Sequence, residues 1–300
     1  MKQESKHSIL LLGGDQRQIY LAKALKQMGR SVKTWGLPLP DGIASIQYKE
    51  WREAVQDNTC IVLPLPASRD DIHINAPFVS AEDLPRIDSL LSESKNKLIL
   101  GGKLSKCFLQ TAHSNGHVCY DYFLSEGLQL KNALLTAEAA IEIAMHELPV
   151  ALDGTKISII GYGRIGELLA QKLIALGAKI TVYARREEVL VRAQLAHCKT
   201  KSIQAKDAVL TLQTIDPETR IVFNTVPEIL FTSPVLRFFP KECLFVELAS
   251  APGGIDSNTA QELGIHSITA SALPGKYAPE TAGLILAQTV DSYIQKIEDT

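Results

Sequence analysis

The chain has no apolar run of the ~20 residues that a membrane-spanning helix requires; its hydrophobic stretches are short and broken by charge or glycine. It also lacks paired cysteines. Cys60, Cys107, Cys119, Cys198 and Cys243 are odd in number, widely spaced and without a CxxC pair or Cys/His cluster, so neither a disulfide framework nor a metal site is expected. Cys60 and Cys243 stand in or beside apolar runs and read as small buried hydrophobes. Charge of one sign is missing too: 31 basic against 33 acidic side chains give a net charge of −2, with no basic run to neutralise a line of phosphates. Nucleic acid is therefore not an expected partner, and no membrane is.

What is present is ordinary soluble α/β material, 46% hydrophobic and 21% charged. At roughly 150 residues per domain, a chain of 300 predicts two domains with a cleft between them. The opening MKQESKHSILLLGGD passes from charge into a short apolar run and a glycine turn, which predicts a first strand in a cytoplasmic protein. Apolar runs, glycine or proline turns and helically spaced segments then alternate to the end, the signature of parallel sheets covered by helices. The expected fold is α/β, with two Rossmann-like, doubly wound parallel-sheet domains. Strands are predicted at residues 9–12, 32–35, 60–63, 98–100 and 117–120 of the first domain. In the second they are predicted at 157–160, 180–183, 221–224, 244–248 and 267–269. A helix from about 17 to 28 carries Leu21, Leu25 and Met28 on one side and stops at Gly29. A linking helix is expected over 131–150, with Thr136 and Glu138 near its start and Pro149 ending it. A terminal helix from Pro279, striped by Leu286, Val290, Tyr293 and Ile297, is expected to return to the first domain. The predicted boundaries are thus 1–130 completed by 279–300, then 131–150, then 151–278.

Three glycines at GxGxxG spacing mean little alone, but Gly161, Gly163 and Gly166 follow a strand and open an amphipathic helix, with a second strand after Gly177. Gly161 permits the tight turn, Gly163 lets backbone approach a pyrophosphate, and Gly166 lets helix and strand pack closely. Tyr162, Arg164 and Ile165 belong to the same cofactor turn. After the second strand, where an acid would bond a ribose 2′-hydroxyl, the chain reads Ala184-Arg185-Arg186. Two guanidiniums there favour a 2′-phosphate, hence NADP(H); the alternative is that they are solvated surface charges and the cofactor is NAD. Two further turns at strand ends, Asn224-Thr225-Val226-Pro227 and 247–254, which includes Ala249, Ser250, Pro252, Gly253 and Gly254, are expected around the nicotinamide and substrate. The alternative is that prolines and glycines there merely stop the strands. The turn holding Gly275 is expected to line the cleft or act as a hinge. In the first domain Gly13, Gly14 and Arg17 repeat the strand, glycine turn, helix arrangement without a third glycine. A carboxylate would suit that turn, a plain turn with an exposed arginine being the alternative. The seven histidines, His113, His117, His146, His197 and His266 among them, form no motif.

With GGDQRQ, NxxxTAE, GYGRIG, ELASAPGGID and SALPGKYAPETAG in this order, the chain resembles the A subunits of dipicolinate synthase from spore-forming bacteria over nearly its whole length. The resemblance implies an NADP-linked oxidoreductase that converts a dihydrodipicolinate-type intermediate of lysine biosynthesis to pyridine-2,6-dicarboxylate in the mother cell. The implied partners are a small dicarboxylate substrate and a flavoprotein-like B subunit, with a homo-oligomer left open. It places Gly161, Gly163, Arg164 and Gly166 at the pyrophosphate, Arg185 at the 2′-phosphate, the Asn224 and Ser250 turns at the nicotinamide, and Gly13, Arg17, Asn132, Thr136 and Glu138 on the facing side. Departing from the family is the run Leu65-Pro66-Ala67-Ser68-Arg69-Asp70-Asp71, where a small, hydroxyl-rich segment is expected. Glu138 is the nominee for general base and Ser250 a second catalytic candidate; a 4-hydroxy-tetrahydro substrate would need a general acid as well. Two rivals are a 2-hydroxy-acid dehydrogenase, whose catalytic histidine is missing from SALPGKYAP, and a non-catalytic NADPH-binding subunit.

Overall fold

The computed structural model describes residues 7–204 and 208–299. The chain divides into two compact units, one running to Lys131 and resuming at Ala278, the other Asn132–Tyr277. In the first unit lie β1 (Ile9–Leu12), β2 (Val32–Trp35), β3 (Ile46–Tyr48), β4 (Cys60–Val62), β5 (Leu98–Gly101) and β6 (Val118–Asp121). They form one parallel sheet in the order β3-β2-β1-β4-β5-β6. Between them run α1 (Gln16–Gln27), α2 (Trp51–Gln56), α3 (Ile87–Ser92) and α4 (Lys106–Ser114). Side chains alternate across a strand. Ile9 and Leu11 accordingly enter one apolar layer with Leu21 and Leu25 of α1, while Leu10 and Leu12 enter another with Trp51, Leu90 and Phe108.

Helix α5 (Glu126–Glu147) leads into the second unit, which holds β7 (Lys156–Ile160), α6 (Arg164–Ala175), β8 (Lys179–Ala184), α7 (Glu187–Leu195) and β9 (Lys199–Ser202). It continues through α8 (Ala208–Gln213), β10 (Ile221–Asn224), α9 (Ser233–Leu236), β11 (Leu244–Glu247), α10 (Ser257–Glu262), β12 (Ser267–Thr269) and α11 (Leu273–Tyr277). The sheet order β12-β11-β10-β7-β8-β9 is the same winding again. Ile157 and Ile159 pack with Ala140 and Ala144 of α5 and Leu169 and Leu173 of α6, and Ile160 faces the opposite layer with Leu212, Val235 and Phe245. Burial pushes the Cys60 and Cys243 thiols up to about 12, as expected of thiols held as hydrophobes.

The chain closes with α12 (Pro279–Glu298), which packs Leu286, Val290 and Ile294 into the apolar layer beside α1. Contact with α1 is intimate because Gly283 lies against the backbone there: a Cβ on it would stand 2.6 Å from the Arg17 carbonyl oxygen. Arg30, just after α1, pins the far end through Asp291 at 2.7 Å and Glu298 at 2.8 Å.

Three sequence-based expectations need correction. The linking helix starts at Glu126, where the Ser125 hydroxyl accepts from the Leu128 amide, so Thr136 and Glu138 stand in its middle turns instead of its first. Strands β3 and β9 escaped notice because each is an edge strand, polar or exposed, joined to its sheet by backbone pairing and not by an apolar run. The segment around Gly275 is the short helix α11, with Leu273 seated in the core of the second unit. Among the described residues no helix is long and apolar enough to cross a membrane.

Gly283→Ala should destabilise the first unit by about 1–3 kcal/mol through overpacking of α12 on α1. Both tryptophans of the chain, Trp35 and Trp51, lie in that unit, so urea unfolding followed by their fluorescence reads the change directly.

Candidate cofactor site and active centre

The glycine turn of the second unit is built as its spacing predicts. Gly161 has φ +90°, and a Cβ there would lie 2.4 Å from Thr225 Oγ1, so the turn accepts only glycine. Its amide donates to the Tyr183 carbonyl oxygen at 2.8 Å, joining the ends of β7 and β8. A Cβ on Gly166 would stand 2.3 Å from the Gly161 carbonyl oxygen, which is the close helix-to-turn packing expected of the third glycine. At Gly163 a Cβ would meet nothing within 4 Å. That residue caps α6 without any side-chain hydrogen bond, at the positive end of the helix dipole, where the first-turn amides have no intrahelical acceptor. This cradle fits a dinucleotide pyrophosphate.

Beside it opens a cavity of about 280 Å³ bounded by Gly161, Tyr162 and Gly163, by Tyr183 to Arg186 at the end of β8, and by Val226 and Leu230 beyond β10. Its apolar walls suit an adenine ring. Burial raises the Tyr162 and Tyr183 hydroxyls to about 12, so both remain neutral. Arg185 and Arg186 are exposed at its rim, Arg185 paired with Glu228 and Arg186 lying 3.4 Å from Glu188. Ile165 follows on α6 half-buried, and Arg164 is exposed.

At the other strand ends the organising group is one that the motif reading passed over. Glu247, buried at the end of β11, accepts from Asn224 Nδ2 at 2.8 Å and from the amides of Ala249 at 2.9 Å, Gly254 at 2.7 Å and Ile255 at 3.1 Å. Asn224, fully buried, also bonds both ways with the Val226 backbone, so its side chain clamps two turns together instead of reaching a ligand. Thr225 donates to the Ile160 carbonyl oxygen at 2.9 Å. Between these anchors, Ser250 accepts at its carbonyl from Gly253 N at 2.9 Å around a cis Ala251-Pro252 bond, a type VI turn. Ser250 is left exposed at the tip, while Gly253 and Gly254 are buried beneath it; a Cβ on Gly254 would collide with Asn224 Nδ2 at 2.3 Å. The sequence signal for Glu247 was an acid ending an apolar strand directly before a proline-glycine turn.

The first unit's copy of the glycine turn is closed. Gly13 N donates to the Trp35 carbonyl oxygen and Gly14 N to that of Asn75, at 3.0 and 2.9 Å. Asp15 caps α1, taking the Arg17 amide at 3.0 Å and its guanidinium at 2.7 Å, and Arg17 also donates to the Leu65 carbonyl oxygen. The expected carboxylate site at Gly13, Gly14 and Arg17 is thus occupied by the chain's own carboxylate, and Arg17 is buried where an exposed arginine was the alternative. Thr136 donates to the Asn132 carbonyl oxygen at 2.9 Å, inside α5. Glu138 is half-exposed and pairs with Lys172 in the last turn of α6 at 2.9 Å. Lys172 lies about 12 Å along the helix from the glycine turn, at 1.5 Å per residue, so the general-base assignment to Glu138 loses its geometric support. His266, before β12, pairs with Glu147 at 3.2 Å, at the strand end opposite the turns.

A dinucleotide cradle in a doubly wound domain, joined in one chain to a second domain of the same winding, defines a nicotinamide-dependent oxidoreductase, and family models agree. Residues 126–227 match the D-isomer specific 2-hydroxyacid dehydrogenase NAD binding domain. Residues 8–123 match the N-terminal domain of the dipicolinate synthase A subunit, where the resemblance carried by the motifs is borne out. The chain is 26% identical to the dipicolinate synthase A subunit of Bacillus subtilis (strain 168) across 97% of its own length and 96% of the relative's. The crystal structure of the A subunit from Bacillus halodurans superposes with a TM-score of 0.83 at 24% identity, covering 97% of this chain and 99% of that one. For the Bacillus subtilis protein the TM-score is 0.82 at 24% identity, covering 100% and 98%.

Two substitutions separate cradle from scaffold. Gly163→Ala should leave the melting temperature within a degree or so, since its Cβ enters open space, yet weaken dinucleotide binding at least about tenfold by titration calorimetry. Gly166→Ala should destabilise the fold itself by about 1–3 kcal/mol. Glu247→Gln, which turns an NH₂ group toward backbone donors, should cost about 1–3 kcal/mol in chemical unfolding.

Proposed function

We propose that this oxidoreductase uses NADP(H) and oxidises a dihydropyridine-2,6-dicarboxylate, a dihydrodipicolinate-type intermediate, to dipicolinate. One observation carries the reading: similarity to a dipicolinate synthase A subunit extends over 97% of the chain, far beyond the glycine fingerprint common to many dehydrogenases. The cofactor preference rests on Arg185 and Arg186, which stand at the end of β8 where an NAD-specific domain would carry an acid. Following its relatives, the chain would work with a B subunit in the mother cell of a sporulating bacterium.

When bound, the oxidised nicotinamide supplies the hydride acceptor. The chain's residues hold and align. The first-turn amides of α6, with Arg164, take the pyrophosphate; Arg185 takes the 2′-phosphate; the backbone of Thr225, Val226 and Pro227 and that of Ala249 border the nicotinamide end. Ser250 at the exposed turn tip hydrogen-bonds one substrate carboxylate, kept in place by Pro252, Gly253 and Gly254. Aromatisation requires loss of one hydride and one ring proton and is strongly downhill, so alignment is the main demand on the protein. Glu138, engaged with Lys172, is left out of this scheme.

The purified chain, supplied with NADP⁺ and the intermediate freshly made from pyruvate and aspartate semialdehyde, should form NADPH and dipicolinate in equal amounts, alone or once the B subunit is added. Neither product under either condition, despite tight NADPH binding, would overturn the substrate assignment and favour a regulatory, cofactor-binding role. Ser250→Ala should raise KM for the intermediate several-fold at unchanged NADPH affinity, as loss of one hydrogen bond to a charged group requires.

A further inference from the structure

The end of β8 looks cationic in sequence, but in the folded domain both arginines face carboxylates. Arg186 lies 3.4 Å from Glu188, its near neighbour at the start of α7. Arg185 instead pairs with Glu228, which arrives from the turn after β10, between the two residues of that turn, Val226 and Leu230, that wall the adenine-sized cavity. Both members of the pair are about half exposed, Arg185 at 47% and Glu228 at 52%, so the contact spans the open rim of the cavity and is not part of the core.

We propose that Glu228 determines how strongly this chain prefers NADP(H) over NAD(H), by competing for the guanidinium that would grip the 2′-phosphate. The proposal rests on the assignment of Arg185 made above. A 2′-phosphate needs the forked donor face of Arg185. A phosphate on that guanidinium either displaces the Glu228 carboxylate or shares Arg185 with it, and in both cases like charges oppose each other within the same rim. NAD(H) carries a neutral ribose diol at that place and meets neither cost. The wild-type domain therefore discriminates less between the two cofactors than its pair of arginines implies, and the acid responsible lies more than forty residues from the strand end where specificity is normally read.

The test is binding, independent of any substrate: calorimetric titration of NADP⁺ and NAD⁺ into wild type, Glu228→Gln and Arg185→Gln, with melting temperatures as a control for folding. Glu228→Gln should tighten NADP⁺ about tenfold, from an exposed ion pair released and one charge repulsion removed, and leave NAD⁺ within about twofold. Should Glu228→Gln leave NADP⁺ unchanged while Arg185→Gln weakens it, Glu228 has no such role and the cofactor reading stands. Should Arg185→Gln leave NADP⁺ unchanged, the 2′-phosphate assignment falls and the role of Glu228 with it. A loss of NAD⁺ affinity in Glu228→Gln with NADP⁺ unaltered would make Glu228 a ribose acceptor and equally overturn the proposal.

Discussion

The constraint on which everything else depends is that the central strands are apolar on both faces. β1 and β7 bury nearly every side chain they carry, and a strand buried on both sides can be satisfied only if helices cover both faces of a parallel sheet. Each sheet is accordingly wound outward in both directions from its middle, and the strand order reverses beside β1 in one unit and β7 in the other. At such a reversal the connections leave in opposite directions and the turns at the carboxyl ends splay apart, which is why ligands gather there. The glycine turns after β1 and β7 stand at these two places.

One architecture used twice has been put to opposite electrostatic ends. In the second unit the helix after the turn begins at Gly163, with no side chain to satisfy its amides, so the partial positive charge of the helix end is available to an anion from outside. In the first unit the equivalent position is Asp15, and its carboxylate takes up both the helix amide and the Arg17 guanidinium. A single capping residue thus separates an uncapped helix end from a structural joint. Glu247 performs a related service at the ends of β10 and β11, where a buried carboxylate with backbone and amide donors around it holds two turns in register.

Most of the regular fold was legible because its signal is local. Strands such as Ile9–Leu12, Val32–Trp35 and Ile221–Asn224 coincide with the segments that predicted them, and the GxGxxG turn has the tight bend at Gly161 and the close helix packing at Gly166 that its spacing predicts. The exceptions share a cause. β3 and β9 are strands only because a neighbour offers its free edge, and the start of α5 depends on a Ser125 cap that periodicity does not register. Site residues whose role depends on where a partner side chain is placed were equally invisible. Arg17 reads as a free cation until Asp15 folds against it, Glu138 as a first-turn acid until Lys172 is brought alongside, and Asn224 as a ligand contact until Glu247 claims its amide.

The amino-acid sequence by itself determined the α/β class, the doubling of the winding, the position of the glycine turn and the resemblance to dipicolinate synthase A subunits, since each is written in contiguous residues whose spacing carries the physics. Tertiary structure alone decided which charges are free and which are spent. Hydrogen bonds and ion pairs join residues far apart in the chain, as Arg185 to Glu228 and Asn224 to Glu247, and a side chain's availability to a ligand is known only once its partners have been brought to it.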